Sequence, residues 1–371
     1  MSDTNMSDTN KKKKTVKNLA AADRVMGEIL KLCSIPSPTG MTGEISAYLM
    51  KRLKDLGFEP WERQKGGVFC ELSASGKRSE ARPDDRALLL SAHIDTLGLM
   101  IRMIKPNGRL RLSLVGGYPM NYVEQENVLV HTRDGQRYEG TVHLLNAAVH
   151  ANREAGDTKR DDSTMEVVLD EEVHNREEVE ALGIAVGDFI SLESRARLAG
   201  SGFLKSRHLD DKASSAMLLH LAEEVASGKI VPARKTYILF TNYEEIGHGA
   251  AGGFPEGISD MLAVDMGVVG DDLDTDEYKV SICAKDSSGP YNYDFTNHLI
   301  RLAKKLKLDY AVDIYPFYGS DCSAALHSGL DLRHALVGTG VAFSHGYERI
   351  HRKGVAQTLS LLEELLRSPE V

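Results

Sequence analysis

The segment Ala87-Leu-Leu-Leu-Ser-Ala92 carries no charge and no alternation of apolar and polar positions, and it runs directly into His93-Ile-Asp95. A strand with one wet face alternates. One without alternation is buried on both faces, as in parallel sheets covered by helices on either side. Similar runs recur at 236–241, 261–264 and 332–337, and potential ligands follow each: Glu244 and Glu245, Asp265, and a loop carrying His345. Ligands in open α/β sheets bind beyond the carboxyl ends of the strands, so these side chains are placed to converge on one crevice.

The surrounding pattern completes such a fold. Val25, Met26, Ile29, Leu30 and Cys33 form one helical stripe and Ile45, Leu49, Leu53 and Leu56 another, separated by the breakers Pro36, Pro38 and Gly40. A helix over about 211–226 turns Ala213, Met217, Leu218, Leu221 and Val225 inward, and a last helix carries Val355, Leu359, Leu362 and Leu366 on one face. Between 98 and 205 the texture changes to short β-rich segments, with hairpin signals at Asn107-Gly108 and Asp134-Gly135 and a charged stretch at 152–162. A chain of 371 residues also exceeds what one core usually holds, about 250–300 residues. The expected architecture is α/β: an open, mostly parallel sheet flanked by helices, built from 17–97 and 206–371, with a small β-barrel-like domain inserted at 98–205 and a disordered leader at 1–16. The insertion lies outside the ligand positions.

Composition narrows the function. A net charge of −9 argues against nucleic acid or an anionic membrane surface as partner, since both demand a basic field. The basic run Lys11 to Lys14 sits in a polar leader that repeats Met-Ser-Asp-Thr-Asn and reads as a solvated tail. No apolar stretch reaches the length of a membrane span, and the leader lacks the apolar middle of a secretory signal, so a cytoplasmic protein is expected. Cys33, Cys70, Cys283 and Cys322 are far apart without Cys-x-x-Cys spacing, which fits a reducing compartment and a role as small hydrophobes.

His93 and Asp95 are two apart on an extended segment and point to the same side, where the Asp95 carboxylate can accept the second ring N–H of a ligating His93. Glu244 and Glu245, as neighbours on an extended chain, point apart, so one can ligate while the other moves protons. Following Tyr-Ile-Leu-Phe they are expected to be buried, and buried carboxylates need metals or partners. Asp210-Asp211, taken alone, reads as an acid pair stabilised by a helix N-terminus. His345 competes with His351 for any ligand role. No Gly-x-Ser-x-Gly elbow supports a serine hydrolase.

Ser-Ala-His93-Ile-Asp95, Leu209-Asp210-Asp211-Lys212, Asn242-Tyr-Glu244-Glu245-Ile-Gly, Ala-Val-Asp265, Gly319-Ser320-Asp321 and Ser-His345 occur in the order seen in the glutamyl and tetrahedral aminopeptidases, which the chain resembles from about 19 to 366. The resemblance implies a zinc-exopeptidase-like fold and two divalent metal ions per subunit, zinc first, with cobalt or manganese as alternatives. One ion would be held by His93, Asp210 and Asp265, the other by Asp210, Glu245 and His345, with Asp210 bridging. Glu244 would be the general base and Asp95 the partner of His93. It further implies short peptides as substrates and a homo-oligomer, a dimer or a larger closed shell, assembled through the insertion; the insertion's alternative role is a lid over its own crevice.

Ser-His345-Gly-Tyr-Glu-Arg-Ile-His351 resembles the branch encoded beside biosynthesis of the osmoprotectant N-acetylglutaminylglutamine amide, and Thr96 stands where the family usually has Glu. That branch raises a rival activity, a metal-dependent amidase or deacylase on an N-acetylated dipeptide. A non-catalytic scaffold of the same fold is the rival from another class.

Overall fold

Residues 87–92 lie within the strand Ala87–His93, an inner strand of a mixed ten-stranded sheet, in a computed structural model that describes residues 18–72 and 86–369. The expected leader, with Lys11 to Lys14, lies outside the described residues. Every residue of Ala87–His93 is buried. Leu88, Leu90 and Ala92 enter one core and Ala87 and Leu89 the other, which is why the strand shows no alternation. Thr236–Thr241 and Ile258–Val264 flank it in parallel, and Arg333–Val341 follows in parallel on Ile258–Val264. Thr241 pairs with His93 and Val264 with Val337, so the carboxyl ends of these strands line up.

Outside its parallel centre the sheet is mixed. Val68–Glu71 adds antiparallel to Thr236–Thr241, Val280–Asp286 adds antiparallel to Arg333–Val341, and Tyr310–Ile314 extends that flank. The helices Leu19–Cys33, Gly43–Asp55, Leu209–Ala226, Tyr293–Leu306 and Arg352–Arg367 share one core on one face, while Asp321–His327 contributes to the core of the other. Leu209–Ala226 departs from the expected one-sided stripe: Ser214, Ser215, Ala216, His220 and Ala222 are buried along with the apolar positions. It is packed against Ala87–His93, Leu19–Cys33 and Arg352–Arg367, and its small residues allow that close approach.

Within 98–205, six strands close into a barrel in the order Gly98–Ile104, Leu110–Val115, Met165–Leu169, Arg137–Leu144, Asn127–His131, Phe189–Leu192. Leu99 pairing with Ile190 completes the ring, and Leu99, Ile101, Leu112, Val130, Val142 and Val167 fill it. Gly108 and Gly135 take positive φ in the two hairpin turns, at 79° and 87°, where other residues are strained. The barrel ends at Leu192. Arg197–Leu198 and Phe203–Ser206 form a separate small sheet with Glu348–His351, so this return path is shared with the α/β part. All four cysteines are buried and free, and no described helix is long and apolar enough to cross a membrane.

Candidate active site

Because the central strands end in register, the residues that follow them emerge at one edge. His93 closes its own strand, Asp265 follows Ile258–Val264, and Glu244 and Glu245 follow Thr236–Thr241. Asp210 presents one carboxylate oxygen to each histidine: Oδ1 lies 3.0 Å from His93 Nε2 and Oδ2 lies 3.5 Å from His345 Nε2. Glu245 Oε2 is 3.6 Å from His345 Nε2, and Glu244 Oε2 is 3.8 Å from His93 Nε2. Donor atoms of His93, Asp210 and Glu245, and likewise of His93, Asp211 and Asp265, lie within 4.8 Å of one another.

Local expectations are corrected at several points. The Glu244-Glu245 segment is not extended: it is a single 3-10 turn, Glu244–Ile246, entered by Tyr243 and left by Gly247, both in the left-handed region. The two carboxylates still part, because a 3-10 helix rotates about 120° per residue. Asp210 and Asp211 stand at the start of Leu209–Ala226 as expected, but with non-helical backbones, and their carboxylates turn to the site. Asp211 accepts the main-chain N–H of His93 at 3.2 Å, and its Oδ1 has no hydrogen-bond partner.

Asp95 meets the His93 ring through its carbonyl oxygen, 2.9 Å from Nδ1, whereas its carboxylate stands 3.8 Å away. A carbonyl can only accept, so Nδ1 donates and Nε2 keeps its lone pair toward Asp210 in the neutral ring. The Asp95 carboxylate has other work: it accepts Thr39 Oγ1 at 2.7 Å and the main-chain N–H groups of Glu244 and Glu245 at 3.2 and 3.4 Å. Thr96, buried where the resemblance leads one to expect Glu, bonds through its main chain to Ser37 and Thr39 and fastens this loop.

His345 is oriented by the insertion, contrary to the expectation that the insertion lies apart from the ligands. Its Nδ1 donates to the Gly117 carbonyl at 2.6 Å, leaving Nε2 toward Asp210 and Glu245. Arg207 binds the carbonyls of Tyr122 and Gly346 and so braces the same junction. His351 is elsewhere. Its Nδ1 caps the last helix through Lys353 N–H at 3.1 Å, its Nε2 bonds to Ser201 O at 3.0 Å, and Phe203 and Tyr278 pack on its ring. His345→Ala is therefore expected to abolish binding at one metal site, while His351→Ala keeps the metal and loses about 0.5–2 kcal/mol of stability with its cap. Metal analysis and denaturant unfolding of both variants check this; loss of metal in the His351 variant alone would reverse the assignment.

Burial pushes Glu244 and Glu245 well above the ordinary carboxylate range, reinforced at Glu245 by Asp210 and at Glu244 by Asp265 and Asp321. Asp265 is pushed up to about 7 by burial and by Asp210. Burial opposes charge on the histidines, yet the Asp210 hydrogen bond and the nearby carboxylates outweigh it, lifting His93 well above its usual value and His345 to about 10. Carboxylates raised in this way gain a partner when a cation takes the place of the proton, and mixed nitrogen and carboxylate donors are a set that suits a divalent cation. The cluster opens on a cavity of about 360 Å³ bordered by Asp210, Glu244, Glu245, Asp265, Tyr318 and His345, large enough for a residue or two of substrate.

Sequence reasoning did not reach Gly117, whose contribution is a main-chain atom, or Glu348, which accepts the N–H groups of both Asp210 and His345. The spacing His345-x-x-Glu348 was the one available signal for the latter.

The model of the M42 glutamyl aminopeptidase family matches residues 74–361. YhfE of Bacillus subtilis (strain 168), itself named an aminopeptidase only provisionally, is 44% identical over 353 residues, 95% of this chain and 100% of its own. The glutamyl aminopeptidase of Lactococcus lactis subsp. cremoris (strain MG1363) is 28% identical over 215 residues, covering 58% of each chain. The fold is similar to that of the TET1 peptidase of Pyrococcus horikoshii, described as assembling into a tetrahedron or a large octahedral shell, with TM-score 0.79, 20% identity and 92% and 99% of the two chains covered.

Proposed function

The chain belongs to the M42 glutamyl aminopeptidase family, and from that premise we propose that it releases N-terminal residues from short peptides at a site for two divalent metal ions, with Glu244 as general base. The observation that carries this reading is Asp210, whose two oxygens each face a different histidine at 3.0 and 3.5 Å, the disposition a bridging carboxylate needs. His93, Asp210 and Asp265 would hold one ion and Asp210, Glu245 and His345 the other. Asp211 sits behind His93, bound to its main chain and absent from the cavity wall among the described residues. When bound, the ions supply Lewis acidity at the amide carbonyl and lower the pKa of a water.

The chain's own groups do the rest. Glu244 borders the cavity while the Asp95 carboxylate holds its main-chain N–H, so its side chain is positioned to take a proton from the attacking water and pass it to the leaving amine. The free α-amine of a peptide is a donor that a bound ion can accept, and an acylated N-terminus has no such amine to give, which favours an aminopeptidase over a deacylase. The test is hydrolysis of leucyl and glutamyl arylamides beside an N-acetylated dipeptide amide, in zinc, cobalt and manganese separately. Turnover of the acetylated compound alone would replace this reading with the amidase, and none with any substrate would leave a scaffold.

The insertion is proposed as the assembly module. Leu114, Tyr122, Leu145, Val149 and Val186 are exposed on it, a set of apolar side chains that a partner copy would cover. A TET peptidase of the same fold forms shells. Light scattering after size exclusion is expected to give at least a dimer of the 40.7 kDa chain. A fully active monomer at assay dilution would instead make the insertion a lid.

A further inference from the structure

Glu348 lies in Glu348–His351, the strand that pairs with Phe203–Ser206 just before Asp210, with Glu348 opposite Ser206. Its side chain is buried, and its two oxygens go to two separate loops: Oε2 accepts the main-chain N–H of Asp210 at 3.1 Å and Oε1 that of His345 at 2.9 Å. Neither donor belongs to a helix or strand ladder. Asp210 stands at the non-helical start of its segment (φ −77°, ψ 104°) and His345 in a left-handed conformation (φ 62°), so each depends on an outside acceptor to hold it in place. Glu348 does not border the substrate cavity among the described residues; it sits behind the site, beside a void of about 10 Å³ bordered by Asp210, Glu245 and His345.

We propose that Glu348 is the positioning residue of the metal centre, one carboxylate that sets the bridging Asp210 and the last ligand His345 at a fixed separation. The residue type follows from the geometry. Each of the two Glu348 oxygens accepts one main-chain N–H, so the one side chain serves two donors at once. A glutamine of the same shape has one acceptor and turns its NH₂ against the other N–H, and an aspartate is one methylene too short to span both. Groups that hold metal ligands in place are typically worth about 10- to 100-fold in metal affinity.

The inference rests on the proposed metal site, and the experiment separates the two. Binding of Zn²⁺ and Co²⁺ to the full chain is measured by chelator competition, with the Co²⁺ d–d spectrum as a coordination readout, in the wild type, Glu348→Gln, Glu348→Asp and the control Tyr347→Phe, whose hydroxyl donates to Arg195 O at 3.0 Å. Both Glu348 variants are expected to bind one of the two ions 10- to 100-fold more weakly, with an altered Co²⁺ spectrum, and to recover kcat at high metal with little change in KM. The control keeps wild-type affinity. Should either folded Glu348 variant bind both ions as tightly as the wild type, or should its melting midpoint fall equally with and without metal at unchanged affinity, the positioning role is refuted. A wild type that binds no metal would instead overturn the proposed function.

Discussion

Glu244→Gln is expected to bind both metal ions, fold normally and lose about 10²–10⁴-fold in kcat, equivalent to about 3–5 kcal/mol of barrier. The amide matches the carboxylate in shape but cannot take a proton. The rest of the site does not depend on that side chain: Asp95 holds residue 244 through its main-chain N–H at 3.2 Å, and the proposed ligands His93, Asp210, Glu245, Asp265 and His345 are untouched. The loss should therefore appear in kcat with KM nearly constant, since substrate binding and metal loading survive. Steady-state kinetics with metal analysis on the same preparation is the check. A variant with near-normal kcat would remove Glu244 as the base.

Asp210→Asn is expected to lose both ions and all measurable activity. The substitution removes the charge shared between His93 and His345 and leaves one acceptor oxygen where two are used. The metal-free protein provides a second readout. His345 is held at about 10 against the opposing effect of burial, with the Asp210 hydrogen bond the largest contribution in its favour, so the substitution should bring its titration down. The sign follows: with Asp210 present, proton binding at His345 stabilises the metal-free fold below the unfolded value of about 6.5, and that contribution fades as pH rises toward 10. In Asp210→Asn the pH dependence of unfolding over that window should flatten. Retention of both ions in the variant would strike Asp210 from the ligand set, and loss of one alone would deny it the bridging role.

Legibility divided along a physical line. The strand at 87–92 could be read because burial on both faces leaves a signature in consecutive residues. The flanking strands Val68–Glu71, Val280–Asp286 and Tyr310–Ile314 escaped, because Glu71, Lys285, Asp286 and Asp313 interrupt runs that are already short, and a flank strand is specified by the neighbour it pairs with. The Leu209–Ala226 helix was legible as a helix but not as one surrounded on all sides, since Ser214, Ser215 and His220 are polar by type and buried only through the packing of elements distant in the chain.

The same division runs through the site. By itself the sequence determined that histidines and carboxylates follow the ends of buried strands, because residue type and strand periodicity are local properties. Which atom of each residue is used was decided by tertiary structure. Asp95 turns its carbonyl to His93 and its carboxylate to the Glu244-Glu245 turn, His345 takes its orientation from the Gly117 carbonyl of the inserted barrel, and Glu348 links Asp210 to His345. The physical reason is that a hydrogen bond requires two groups to be brought within about 3 Å at a suitable angle. When those groups belong to segments separated by a whole domain, only the packing of that domain sets the distance.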